Sequence, residues 1–194
     1  MAEDLGKRRF LLAATAVAGG AAIAGAAVPF VASMLPSERA KAGGAPVEAD
    51  ITKLDSGGQL TVEWRGKPVW VLRRTDNMIA ALGTQDDKLR DPHSEQPQQP
   101  NYGKNATRSI KPEYFVAIGI CTHLGCVPSS ALQSRAAGLG ADWQGGFYCP
   151  CHGSKFDLAG RVFKNVPAPL NLVIPPHKYL SDSRLLIGAD PEST

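Results

Sequence analysis

At 194 residues the chain is long enough for one domain with a real core and an additional segment, and short for two full domains. Its 21 Lys and Arg residues against 18 Asp and Glu leave a net charge of +3, and the basic residues are scattered, with no basic run interleaved with aromatics. That excludes a nucleic-acid footprint, and no nucleic-acid partner is expected.

The first element in the chain is apolar. From Phe10 to Pro36 no side chain is charged, and at about 1.5 Å per residue such a run makes roughly 40 Å of helix, enough to cross a hydrocarbon core about 30 Å thick. Small residues such as Gly20 and Gly25 suit a span that packs on neighbouring helices within membrane lipid. Lys7, Arg8 and Arg9 precede the run, so the positive-inside bias puts residues 1–9 in the cytoplasm. Everything after the span is then expected outside, on the periplasmic side of a bacterial inner membrane. The same basic residues, followed by Phe10, resemble a twin-arginine export signal. The alternative is an ordinary secretory signal cleaved after a site such as Ala40-Lys41-Ala42, although the apolar run is longer than a usual signal core.

Residues 37–49, SERAKAGGAPVEA, mix charge, Gly and Pro without apolar periodicity and read as an exposed, flexible hinge. The domain that follows, 50–194, opens with short strand patterns, LTVEW, PVWVLRR and MIAALG, separated by turn signals at Ser56-Gly57-Gly58, Arg65-Gly66-Lys67 and Asp76-Asn77. Thr84 with Asp87 fits the start of a short helix running to about Arg90. The stretch after it, rich in Pro, Gln and Asn and containing His93, reads as a long surface excursion. YFVAIGI, Tyr114 to Ile120, is a strand leading into CTHLGC; LNLVI and RLLIG supply closing strands, with His177 expected at the surface between them. The sum is an all-β, antiparallel domain on a single N-terminal helix.

The chemistry is concentrated in CTHLGC, Cys121 to Cys126, and CPCHGSKFD, Cys149 to Asp157. Together they hold six soft or borderline metal ligands, all four cysteines of the chain among them, whereas a tetrahedral zinc site or a 2Fe-2S cluster takes four. If Cys121, His123, Cys149 and His152 are the ligands, Cys126 and Cys151 are spare. Two thiolates and two imidazoles also suit zinc, but here each loop offers one of each, as needed when two loops clasp a cluster from opposite sides.

Both boxes resemble those of the Rieske iron–sulfur protein of the bacterial cytochrome bc complex, ubiquinol:cytochrome c oxidoreductase, with 25 residues between His123 and Cys149. The resemblance spans anchor, linker, β-domain, both boxes and Pro167-Ala168-Pro169. It implies an antiparallel β-sandwich with a small cluster-binding subdomain, its loops at about 121–130 and 147–157. It implies a 2Fe-2S cluster on Cys121, His123, Cys149 and His152, and a disulfide between Cys126 and Cys151. By the same resemblance His152 is the catalytic residue, accepting a hydrogen bond from ubiquinol bound in cytochrome b and a proton with the electron, while Leu124 touches the quinol. Ser154 and Phe156 tune the cluster, Phe156 standing where high-potential relatives carry tyrosine. Pro167 and Pro169 shield it, with Val166 where a glycine is expected. The implied partners are cytochrome b and a c-type cytochrome in a dimeric complex with quinol–cytochrome c reductase activity. A soluble Rieske ferredoxin would lack the anchor and the additional cysteines; the small subunit of a periplasmic arsenite oxidase, exported and Rieske-containing, is the alternative, donating to a periplasmic carrier without quinol.

Overall fold

The computed structural model describes residues 2–191, except for the side chains of Ala2, Glu3 and Arg39. The chain divides into two compact units, Met1–Gly43 and Gly44–Thr194.

The first unit contains helix α1, Ala2–Ser33, whose stretch Asp4–Ser33 is long and apolar enough to cross a membrane, with a mean hydropathy of 1.9 over an 18-residue segment of it. The helix therefore begins ahead of the expected span and ends before Met34-Leu35-Pro36. Its Thr15 and Ser33 hydroxyls donate to the Leu11 and Phe30 carbonyls at 2.9 and 2.7 Å, so these polar groups are satisfied within the helix itself. The segment read as a hinge differs from that expectation: it contains a short helix α2, Glu38–Gly43, and the first residues of strand β1, Val47–Asp50. The Ser37 hydroxyl accepts from Ala40 N at 3.2 Å, and Glu38 pairs with Lys41 one turn on, local bonds that a pattern search for apolar periodicity does not register.

In the second unit, nine strands among the described residues form three antiparallel sheets. The first joins β1, β9 (Arg184–Ile187) and β8 (His177–Ser181). The second joins β2 (Gln59–Trp64), β3 (Lys67–Arg73) and β4 (Tyr114–Ile118). The third joins β5 (Ser129–Ala131), β6 (Gly146–Cys149) and β7 (Ser154–Asp157). The second sheet is the middle layer. Val69 and Val71 of β3 face one core together with Val116, Leu185 and Ile187. Trp70 and Leu72 face the other core with Phe115, Phe147 and Phe156. Burial on both faces is why PVWVL and YFVAI read as continuous apolar runs instead of alternating. The second core also contains Cys121 and Cys149, so the site stands on it.

Three expectations fail for identifiable reasons. MIAALG is not a strand: Asp76–Leu82 is helix α3, because the Thr75 side chain caps it by accepting from Met78 N at 3.2 Å. Thr84 and Asp87 do not cap a helix to Arg90; Thr84 Oγ1 donates back to Ala81 O, and only a 3-10 turn, Asp86–Lys88, follows. LNLVI does not alternate, with Asn171, Leu172 and Ile174 buried and Val173 exposed, and belongs to no strand. Its amides go instead to loop carbonyls, Leu172 N to Gly160 O and Ile174 N to Gln98 O, both at 2.8 Å.

His177 is buried, not at the surface. The Tyr102 ring meets it edge-on with centroids 5.6 Å apart, and its Nδ1 lies 2.8 Å from Pro175 O. Burial lowers its pKa from the ordinary 6.5, outweighing the Pro175 carbonyl and Asp190. In the unfolded chain the ring takes up a proton below about pH 6.5, while the folded ring resists it. Its contribution to stability is full above that pH and is lost as pH falls. Urea midpoints between pH 5 and 8 should therefore drop more steeply toward acid for the native chain than for His177→Gln; parallel curves would remove this ring as the cause.

Candidate metal centre

The two ligand boxes fold as the same local turn. In the first, Gly125 N donates to Cys121 O at 3.1 Å; in the second, Gly153 N donates to Cys149 O at 2.9 Å. Each turn closes on a glycine in the left-handed region, φ +85° at Gly125 and +78° at Gly153, a conformation that side chains with Cβ rarely adopt. The shared pattern is Cys-x-x-x-Gly, a signal present twice in the sequence that the reading by ligand types passed over. Loop one is further fixed by Cys121 N donating to Cys126 O at 2.7 Å.

A disulfide joins Cys126 to Cys151, with Cα atoms 6.8 Å apart and a sequence separation of 25. It ties the two turns together and leaves Cys121 and Cys149 as buried free thiols. The sulfurs of Cys126, Cys149 and Cys151 lie within 4.8 Å of one another, but two of the three are consumed by the bridge, so this triad is not a ligand set. The imidazoles of His123 and His152 meet edge-on, ring centroids 4.7 Å apart. Two buried sulfurs and two convergent imidazoles, one of each from either loop, fit a 2Fe-2S cluster with mixed ligation.

The surroundings are graded from dry to wet. Burial pushes the Cys121 thiol up, opposed by hydrogen bonds from the His123 backbone and the Ser154 hydroxyl, while contact with Cys149 adds to the rise. Ser154 is fully buried and its oxygen also accepts from Ala168 N at 3.0 Å. Ala168 is the buried centre of the third loop, flanked by exposed Pro167 and Pro169. Val166 packs partly buried against the core, and the left-handed residue here is Asn165, φ +59°, so the turn expected of a glycine is made one position earlier. Thr122 Oγ1 donates to Leu170 O at 2.6 Å, tying loop one to the same segment. Phe156 is fully buried beside Cys121 and Cys149, opposite Phe147 on β6. On the outer side His152 is exposed, and Leu124 and Val127 are exposed by 71% and 53%. The tip is thus an apolar rim around one exposed imidazole, His152, and one half-buried, His123.

Sequence reasoning missed the base of this loop system. Arg74, Arg108 and Arg161 are all buried to within 1% of full burial. Arg74 donates to Leu158 O, Arg108 to the Ala159 and Gly160 carbonyls, and Arg161 to Asp157 Oδ2 at 2.8 Å. All three hold the turn that follows β7. Arg108 also reaches Gln99 and Leu172 O, so the excursion read as surface is partly interior.

Residues 102–176 match the sequence pattern of the Rieske 2Fe-2S domain, and residues 2–37 match the "Ubiquitinol-cytochrome C reductase Fe-S subunit TAT signal". The chain is 65% identical to the ubiquinol-cytochrome c reductase iron-sulfur subunit of Allochromatium vinosum over 184 residues, 95% of this chain and 89% of that one. It is 39% identical to the subunit of the same name from Blastochloris viridis, over 94% of this chain and 93% of that one. For the Bradyrhizobium diazoefficiens subunit the identity is 37%, over 94% of each.

Proposed function

Because this chain belongs to the Rieske iron–sulfur subunits of bacterial ubiquinol–cytochrome c reductase, we propose that Cys121, His123, Cys149 and His152 hold its 2Fe-2S cluster and that His152 receives the quinol proton. Its place as an electron-transfer subunit of the bc1 complex follows from the family. The observation that carries the finer reading is the pair of disulfide-joined turns, which brings both imidazoles together at an exposed apolar tip.

When bound, a cluster with neutral imidazole ligands supplies a one-electron acceptor of raised potential, about −150 to +300 mV. The residues around it do the rest. Exposed His152 accepts a hydrogen bond from a quinol hydroxyl at its outer ring nitrogen and holds the proton there. Leu124 closes over the quinol ring and keeps water from the contact. Pro167 and Pro169 cover the third side, held by the Ala168 to Ser154 hydrogen bond. The bridge between Cys126 and Cys151 keeps the turns from splaying under solvent.

Residues 1–9 lie in the cytoplasm, 10–36 anchor the chain, 37–46 act as hinge ahead of β1, and the domain that β1 opens lies on the periplasmic side. Two features support this: three basic residues ahead of the apolar run, and a disulfide, which persists in an oxidising compartment. The domain moves between cytochrome b and a c-type cytochrome in a dimeric, lipid-embedded complex, since one fixed position serves donor and acceptor poorly. Gly43 and Gly44, at the boundary of the two units, provide the slack. The test is co-purification with b- and c-type haem and loss of quinol-dependent cytochrome c reduction when the chain is deleted. Co-purification with an arsenite-oxidising subunit instead would contradict it.

Phe156 carries a prediction of its own. Its ring lies in the core with both cysteines and has no donor, two residues from Ser154 on the same strand. A tyrosine hydroxyl directed at a cysteine sulfur adds a hydrogen bond to a charged group, worth about 1.5–3 kcal/mol. If about 1 kcal/mol of that separates the reduced from the oxidised state, the potential moves by about 40 mV at ~59 mV per tenfold. Phe156→Tyr should therefore raise the potential in protein-film voltammetry; an unchanged or lower value means the hydroxyl finds no sulfur.

A further inference from the structure

We propose that Arg74, Arg108 and Arg161 set the reduction potential of the cluster, acting as buried cations fixed behind the second ligand loop. This rests on the assignment of the cluster to the four residues above.

The charge count is the first argument. Three guanidiniums are buried, and the buried carboxylate among the described residues is Asp157. Asp86 also pairs with Arg161 at 2.8 Å and Asp91 acts on Arg108, but the Asp86 side chain is 42% exposed and Asp91 is only half-buried. The remaining partners are neutral. Arg74 donates to the Pro112, Thr107 and Leu158 carbonyls and the Ser109 hydroxyl. Arg108 donates to three carbonyls and the Gln99 amide oxygen. Carbonyl oxygens take up the donors, Arg108 Nε excepted, without cancelling the charge, so three buried cations face one buried and two half-buried carboxylates in a region of low dielectric. Burial pushes Arg74 and Arg108 down to about 10, which leaves both cationic at neutral pH.

Position is the second. All three hold residues 157–161, the turn that continues β7, and β7 begins at Ser154, whose hydroxyl bonds Cys121. Ser154 and Asp157 are three strand positions apart, roughly 10 Å. Buried charges at such range are little screened by salt, and a positive field favours the reduced, more negative cluster. A turn needing only rigidity could be held by neutral donors or by matched pairs. Arg73, next in sequence, shows the matched case: its Nε donates to Glu113 at 2.6 Å.

The test is protein-film voltammetry of the cluster-loaded domain, with urea midpoints measured alongside. Arg74→Met and Arg108→Met should each lower the potential by about 40–60 mV, a five- to tenfold change in equilibrium with a fixed donor at ~59 mV per tenfold. Asp86→Asn, on the rim, should raise it, and Arg73→Met should leave it in place. A purely structural role predicts lower urea midpoints with no potential change of opposite sign for the two kinds of variant, and that result overturns the proposal. If the two methionine variants do not fold, Asp86→Asn decides: a rise supports the proposal and no shift overturns it. Absence of a Rieske spectrum in the native domain would instead refute the cluster assignment.

Discussion

Cys149→Ser should abolish the 2Fe-2S visible and EPR spectra of the folded protein, whereas Cys126→Ser should retain a cluster that is labile and of lower potential. The contrast follows from the pairing. Cys149 is one of two buried free thiols and is in contact with Cys121. Cys126 is spent in the bridge to Cys151, so its loss removes a staple between two exposed turns and not a ligand. Each turn retains its own backbone closure, Gly125 N to Cys121 O and Gly153 N to Cys149 O, which is why the ligands stay close enough to bind. Without the bridge the turns separate more readily and admit water. Iron content, spectra and cluster lifetime of the two variants check this. Loss of the cluster in Cys126→Ser equal to that in Cys149→Ser would make the bridge part of cluster assembly itself.

The largest loss of stability is expected at Asp157. Its carboxylate accepts from Ala159 N, Arg161 N and Arg161 Nε at 2.9, 2.7 and 2.8 Å. Its side chain is fully buried and that of Arg161 is 2% exposed. Removing one partner strands the other charge, a cost of about 3–5 kcal/mol. Asp157→Ala should lower the unfolding free energy by that amount, read from urea or thermal denaturation. It should also loosen β7, since Asp157 ends that strand. A loss under about 1 kcal/mol would mean that Asp86 and the main-chain carbonyls around Arg161 suffice.

The site was legible because its chemistry is local. Two boxes of Cys and His mark the two turns that the disulfide joins, and the N-terminal helix states itself as a run without charge. The middle sheet was legible too, since burial on both faces leaves unbroken apolar runs at β3 and β4. What escaped depends on partners far away in sequence. Arg74, Arg108 and Arg161 donate largely to main-chain carbonyls, and a carbonyl leaves no mark in the sequence. His177 is covered by Tyr102, 75 positions away, and LNLVI bonds to loop carbonyls and, through Val173 O, to the end of β4 instead of joining a sheet as a strand. Helix α3 was misread because Asp76-Asn77 signals a turn as well as a first helical turn, and only the Thr75 cap decides between them.

The central claim is that one imidazole from each turn binds the cluster, with the disulfide sulfurs outside its ligand set. Electron–nuclear double resonance on the reduced domain, with histidine nitrogen labelled as 15N, tests it most directly. Two strongly coupled nitrogens are predicted, with one lost in His123→Ala or His152→Ala wherever a residual cluster persists. A reduced cluster without histidine nitrogen coupling, or a domain that binds only zinc and is EPR-silent, would contradict the account.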